Sequence, residues 1–271
     1  MKFLKYYLKI FITIIIIMNL NNLKVAVITQ SYYRKDGSTK RNLQNMFKML
    51  EEQTYKNFKV FITGDNYQPE REFLEECNKY RGEIYVHNNN HSCRDLNLGS
   101  KIYNYWACGG VHAAYNSYIK SYEDGYNILL MLDDDDYWYP FHINNVVDNF
   151  IKYPETGFMV TNAEYVNRTL PRTNVNRIFY NNYIPRSKDC VRASTAHNSH
   201  IVGEIVIKFY KDLIDNVEKS QSSETKIDFQ PGDGVLLDLF NKNIRDGKYK
   251  SLYIPIISVK KATDCNTKNI K

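Results

Sequence analysis

Asn127-Ile128-Leu129-Leu130-Met131-Leu132-Asp133-Asp134-Asp135-Asp136 decides the fold, because an uninterrupted apolar run ends there in four consecutive carboxylates. A short run of this kind reads as a strand buried on both faces, as in the middle of a parallel sheet covered by helices. Parallel strands need helical crossovers, and the chain supplies them on either side. Upstream, Val25-Ala26-Val27-Ile28-Thr29 is a second buried strand, followed by a loop with Asp36-Gly37. Ser38 or Thr39 can cap the next helix, whose Leu43, Met46, Phe47 and Leu50 recur at i, i+3, i+4 and i+7. Phe58 to Thr63 reads as a strand, Pro69 opens a helix carrying Phe73, Leu74 and Cys77, and Glu83 to Val86 is another strand. Gly109-Gly110 leads into a helix through Ala113, Ala114 and Ile119. Downstream, Pro140 opens a helix with Ile143, Val146, Val147 and Phe150, and Phe158 to Thr161 is a further strand.

After Asn162 the pattern loosens into an Asn/Arg/Tyr-rich stretch to Ser187, helices near Ile205 to Val217 and Gly234 to Asn243, and a last strand from Leu252 to Val259. The reading is one α/β domain: a hydrophobic segment at 1–23, a regular half at 24–162, and a second half at 163–271 that builds an acceptor side.

With 43% hydrophobic and 24% charged residues in a chain of 271, the composition is globular and excludes a disordered or fibrous protein. The net charge of +6 is scattered, without a Lys/Arg block or zinc-ligand spacing, which excludes a nucleic-acid partner. A mild positive field suits an anionic pyrophosphate compound or an anionic membrane surface. The cysteines, five and widely spaced, read as free thiols. At the N-terminus Lys2, Lys5 and Lys9 precede the aliphatic Ile10 to Met18, and Asn19 to Asn22 offer no small residues for cleavage. An uncleaved membrane anchor over residues 3–20 is the expectation, a surface helix or a buried strand the alternative. Membrane-anchored, secretory and cytoplasmic locations stay open, and the glycosylation patterns at Asn90 and Asn167 matter only in a lumen.

A run of carboxylates is commonly a solvated turn. Here it starts where a buried strand emerges, and open α/β sheets bind ligands outside the carboxyl ends of their strands. Carboxylates at that edge can share a hard divalent cation with substrate phosphates, which offsets their mutual repulsion. Tyr137, Trp138 and Tyr139 either wall such a site with rings or belong to the core. His197 and His200, at i and i+3, could ligate a metal or be plain polar loop residues.

Several segments in order resemble the family 2 glycosyltransferases of the GT-A fold. Val25 to Arg34 (VAVITQSYYR) is similar to the family's opening strand and donor loop, and Asn42 to Val60 (NLQNMFKMLEEQTYKNFKV) to its first helix and Gln-Thr-Tyr-Lys-Asn-Phe segment. Leu132 to Pro140 (LDDDDYWYP) resembles its Leu-Asp-x-Asp-Asp pattern with the following proline. The resemblance implies a Rossmann-like, mixed but mainly parallel sheet flanked by helices, with an irregular C-terminal acceptor region. It also implies transfer of a sugar, with inversion, from a nucleotide-sugar donor such as a UDP-hexose to a glycan, protein or lipid acceptor, with Mn²⁺ or Mg²⁺. By position, Asp133 would contact the donor ribose, Asp135 would ligate the metal, and Asp136 would support the metal or the sugar. Asp134 falls within the same donor-binding run. Asp65 matches the acidic residue that holds the base, or is a turn aspartate beside glycine. Ser31, Tyr32 and Arg34 would line the nucleotide pocket. The family's Ala-Arg-Asn reads Ala114-Tyr115-Asn116, so Asn116 stands without the neighbouring cation unless Arg94 or Lys101 replaces it.

An inverting transfer needs a carboxylate to take the acceptor proton. Gly232-Asp233 falls where the family has Glu-Asp, which makes Asp233 the expected base; it could instead only cap the helix that follows. Glu204 and Asp228 are weaker candidates. Two other readings compete: a sugar nucleotidyltransferase, for which Gln30 to Ser38 is a poor phosphate loop, and a non-catalytic carbohydrate-binding protein on a degenerate version of the fold.

Overall fold

The computed structural model describes residues 23–90, 92, 105–165, 179–181, 192–198 and 242–261. The order of elements is β1 (Val25–Ser31), α1 (Ser38–Glu51), β2 (Phe58–Gly64), α2 (Glu70–Cys77), β3 (Glu83–Asn88), α3 (Tyr105–Glu123), β4 (Ile128–Asp133), β5 (Tyr137–Trp138), α4 (His142–Lys152), β6 (Thr156–Tyr165), β7 (Phe179–Asn181), β8 (Arg192–Asn198) and β9 (Lys250–Lys261). Among the described residues they form one sheet in the order β3-β2-β1-β4-β8-β6-β9-β5, with β7 paired to β9. The first four of these strands are parallel, as the strand-helix alternation predicts. β8 then enters antiparallel to both β4 and β6, β6 and β9 run parallel, and β5 closes the edge antiparallel to β9. The sheet is therefore mixed, α/β and mainly parallel where the motifs lie. β6 crosses residue 162, so both halves share it.

Both faces of the central strands are covered. Val25, Val27, Val60 and Leu130 pack with Leu43, Met46 and Phe47 of α1, Phe73 of α2 and Ile143, Val146 and Phe150 of α4. Ala26, Ile28, Phe61 and Leu129 face the other way, onto Ala114 and Tyr118 of α3. Residues on alternate sides of β1 thus enter two different cores, which explains why that strand is apolar throughout instead of alternating.

Three local expectations change. Neither Ser38 nor Thr39 caps α1: Gly37 occupies that position at φ 74°, and the Asp36 carboxylate accepts the Ser38 N–H at 2.9 Å. A left-handed turn there favours glycine, and it frees Thr39 for the first loop. Leu74 is exposed, because the buried face of α2 is taken by Phe73, Glu76 and Cys77. Gly109-Gly110 lies inside α3, not before it. The helix expected at 205–217, nearly all of that at 234–243, and the segment 1–22 lie outside the described residues. Among the described residues no helix is long and apolar enough to cross a membrane.

Candidate functional site

The parallel pairing aligns the carboxyl ends of four strands. Ser31 is in register with Gly64, Gln30 with Asp133, and Gly64 with Asn88, so Ser31, Asp65, Asn89 and Asp133 all stand at one edge. Asp65 is buried, its backbone N–H bonds the Ser31 carbonyl at 2.8 Å, and the Ser92 hydroxyl donates to its Oδ2 at 3.2 Å. Asn116 reaches the same corner from α3, its Nδ2 donating to the Asn89 side-chain Oδ1 at 2.9 Å. Glycine at 64 is required by close approach, since a Cβ there would collide with the Asn88 carboxamide. That carboxamide accepts the Tyr67 N–H at 2.9 Å and donates to the Tyr67 carbonyl at 3.2 Å, which fixes the turn beyond Asp65.

The four carboxylates divide. Asp133 is exposed at the tip of β4 and Asp135 is half-buried, whereas Asp134 and Asp136 are buried. A turn closed by the Asp136 N–H on the Asp133 carbonyl at 3.1 Å separates them. Asp134 accepts from Arg34 through both oxygens, Nη1 to Oδ2 and Nη2 to Oδ1 at 2.8 Å each, and from the Ser31 hydroxyl at 2.7 Å. Burial works to lower the Arg34 pKa, but its bonds to Asp134 and the charge of Asp134 outweigh this and hold it above its ordinary value. The Arg34 guanidinium also lies 4.1 Å from the centre of the Tyr32 ring. Gln30 Nε2 donates to Asp133 Oδ1 at 3.3 Å. Between the acidic turn on one side and Asn42, Asn45 and Lys48 of α1 with the following Glu52 on the other runs a cleft of ≈ 380 Å³.

The loop beyond is held from below. The buried Gln53 donates through Nε2 to the Tyr139 carbonyl at 3.0 Å and the Trp138 carbonyl at 3.4 Å, and its Oε1 accepts the Ile143 N–H at 3.2 Å. The Thr54 N–H bonds the Pro140 carbonyl at 2.8 Å. This gives the Gln-Thr pair a physical role: it clamps the segment that follows the aspartates. Gln53→Ala leaves buried groups unmet and is expected to cost about 3 kcal/mol, read as a melting temperature lower by roughly 5–10 °C. An unchanged melting temperature would contradict the clamp.

Of the aromatic trio, Trp138 belongs to the core, 4.3 Å from the His142 ring, while Tyr137 is exposed and meets Tyr139 edge-on. His142, which the sequence reading passed over, is fully buried at the start of α4, with Nδ1 2.8 Å from the Ser258 hydroxyl. The Ser258 carbonyl also accepts the Tyr139 N–H at 3.0 Å, so β9 holds this loop by backbone and side chain together. Burial drives the His142 pKa down to about 3 from 6.5. The unfolded chain therefore binds this proton below about pH 6.5 and the folded one does not, so acidification removes about 1.4 kcal/mol per pH unit across that window. Above it, His142 contributes no pH dependence. The melting temperature of His142→Asn is expected to fall less steeply than that of the parent between pH 6.5 and about pH 5; parallel slopes would contradict this.

Among the described residues no three acidic, His or Cys side chains converge into a ready cation cage. The half-buried Asp135, with Asp136 beside it, nevertheless fits a hard cation that takes one or two protein carboxylates and completes its shell with phosphate oxygens and water. Asp233, Glu204, Asp228, His200, Arg94 and Lys101 lie outside the described residues, and of His197 only the backbone in β8 is described.

A search against family models finds no match. By sequence, the chain is 26% identical over 261 residues to an uncharacterized glycosyltransferase of Acanthamoeba polyphaga mimivirus, covering 92% of this chain and 98% of that protein. By structure, it superposes with a TM-score of 0.55 and 11% identity on S. aureus TarS in complex with UDP, over 89% of this chain and 61% of that one. The fold is that of the GT-A glycosyltransferases. A third relative, a mannosyltransferase from Pyrobaculum calidifontis in complex with GDP-Man and Mn²⁺, gives a TM-score of 0.55 at 13% identity, over 90% of this chain and 58% of its own. The chain thus spans about 60% of the length of these solved structures. In sequence and in fold the chain is thus similar to glycosyltransferases.

Proposed function

We propose that this GT-A chain is an inverting, metal-dependent glycosyltransferase whose nucleotide-sugar donor binds across the carboxyl ends of β1, β2 and β4. The observation that carries the reading is the convergence of Ser31, Asp65 and Asp133 on one sheet edge, beside the half-buried Asp135. The structural neighbours' complexes, with UDP in one and with GDP-Man and Mn²⁺ in another, support a nucleotide-sugar donor and a divalent cation.

Asp65 would accept from the base, Asp133 from the ribose hydroxyls, and Tyr32 would offer its ring face to the nucleotide. Asn116, tied to Asn89, would close the donor corner from the α3 side. Asp135, with Asp136 beside it, would hold a divalent cation against the diphosphate. That cation, Mn²⁺ or Mg²⁺, would neutralise charge growing on the departing diphosphate. Asp233 would take the acceptor hydroxyl proton as the oxygen attacks the anomeric carbon from the face opposite the leaving group. A UDP-linked hexose is the proposed donor, and the acceptor is a hydroxyl of a glycan, protein or lipid. The basic and aliphatic segment at 3–20 is proposed to hold the enzyme at a membrane.

The test is incubation of the full chain with a panel of nucleotide sugars and a mixture of glycan, peptide and lipid acceptors, with and without Mn²⁺, measuring free nucleoside diphosphate. Release from one donor, dependent on the metal, is expected. Glycan binding without any turnover would favour the non-catalytic reading instead.

A further inference from the structure

The position of Asp134 corresponds to the variable residue of the Leu-Asp-x-Asp-Asp pattern, yet in this chain it is a carboxylate only 5% exposed. It is met by three donors, two from Arg34 and one from Ser31. A guanidinium bound through both prongs is fixed in plane as well as in place. Arg34 is held at its other end too: its backbone N–H bonds the Thr39 hydroxyl at 2.8 Å, and that hydroxyl donates to the Tyr32 carbonyl at 2.8 Å. The same guanidinium lies over the Tyr32 ring, 4.1 Å from its centre, so the Arg34–Asp134 pair bears directly on that ring.

We infer that Arg34 and Asp134 form a latch that positions the first loop, and with it the Tyr32 ring, for the nucleotide of the donor. The inference rests on the transferase reading for its ligand. The latch neutralises the second aspartate of the run inside the protein and leaves the exposed Asp133 and the half-buried Asp135 to the donor and its cation. Asp133 is held separately, by Gln30. Arg34 and Asp134 are thus positioning residues for the nucleotide, and neither is a ligand of the metal.

The test compares full-length Arg34→Gln, Asp134→Asn and the double variant with the parent, with Arg34→Lys as a milder change that keeps the charge and loses the fork. Each of the two neutral single variants is expected to raise the donor KM about 10-fold, with kcat within about 3-fold and the Mn²⁺ concentration for half-maximal rate unchanged. The double variant is expected to cost no more than the worse single one, because the pair acts as a unit. Arg34→Lys is expected to fall between the parent and Arg34→Gln. Multiplying effects in the double variant, or a shift in the Mn²⁺ requirement on Asp134→Asn, would overturn the latch. Amide exchange tests it without turnover: the amides of residues 34 and 37 are expected to exchange about 10-fold faster in Arg34→Gln while those of β1 stay protected. Unchanged exchange at 34 and 37 would overturn it. An inactive parent chain whose loop still loosens on Arg34→Gln would instead overturn the transferase reading and leave the latch standing.

Discussion

Replacing Asp135 by Ala is expected to lower sugar transfer about 100- to 1000-fold, the scale on which a single preorganised stabiliser of transition-state charge contributes. The physical reason lies in how the four aspartates divide. Asp134 already has its counter-charge in Arg34, 2.8 Å away, and Asp136 is buried, so Asp135 is the half-buried carboxylate beside the exposed tip of β4. On the proposed reading, removing it would take away a ligand of the cation that balances the departing diphosphate, and the loss should show in kcat and in a raised Mn²⁺ requirement. The fold should survive, because Asp135 is not in the packed core. Steady-state rates across a Mn²⁺ titration, beside a melting curve, make the check. A rate within a few-fold of the parent would place the cation elsewhere.

Asp233→Asn is expected to reduce kcat by about 100- to 1000-fold, within the range that a general base contributes. The carboxamide keeps size and shape but cannot accept the acceptor's proton. Donor KM and nucleotide binding should stay close to those of the parent, since a general base would act on the acceptor hydroxyl. If Asp233 merely capped the following helix, Asn would serve as well as Asp, and both rate and melting temperature would be unchanged. That outcome would shift the base to Glu204 or Asp228, which Glu204→Gln and Asp228→Asn would then separate.

The difference between what the sequence displays and what it conceals follows from the range of the interactions. The runs at Val25 and Ile128 are apolar on both sides because two helical layers cover them, and such burial is visible residue by residue. Gln53 is visible only as part of a resemblance, because its partners at Trp138, Tyr139 and Ile143 are more than 80 residues away. The same holds for Arg34 and Asp134, 100 residues apart: nothing local to a cation after a strand or to an aspartate in an acidic run displays the pairing that folding gives them. β8 is hidden for a further reason, since Arg-Ala-Ser-Thr-Ala-His-Asn has little apolar content and becomes a strand through pairing with β4 and β6. His142 had a local clue in its place between Pro140 and the apolar stripe of α4, but its burial depends on β9.

A crystal structure of the full chain soaked with UDP and Mn²⁺ tests the central claim most directly. The account predicts the ion on Asp135, the ribose against Asp133, the base beside Asp65 and Tyr32, and the Arg34–Asp134 pair intact. Nucleotide bound away from the carboxyl ends of β1, β2 and β4, or an ion on Asp134 with Arg34 displaced, would contradict it.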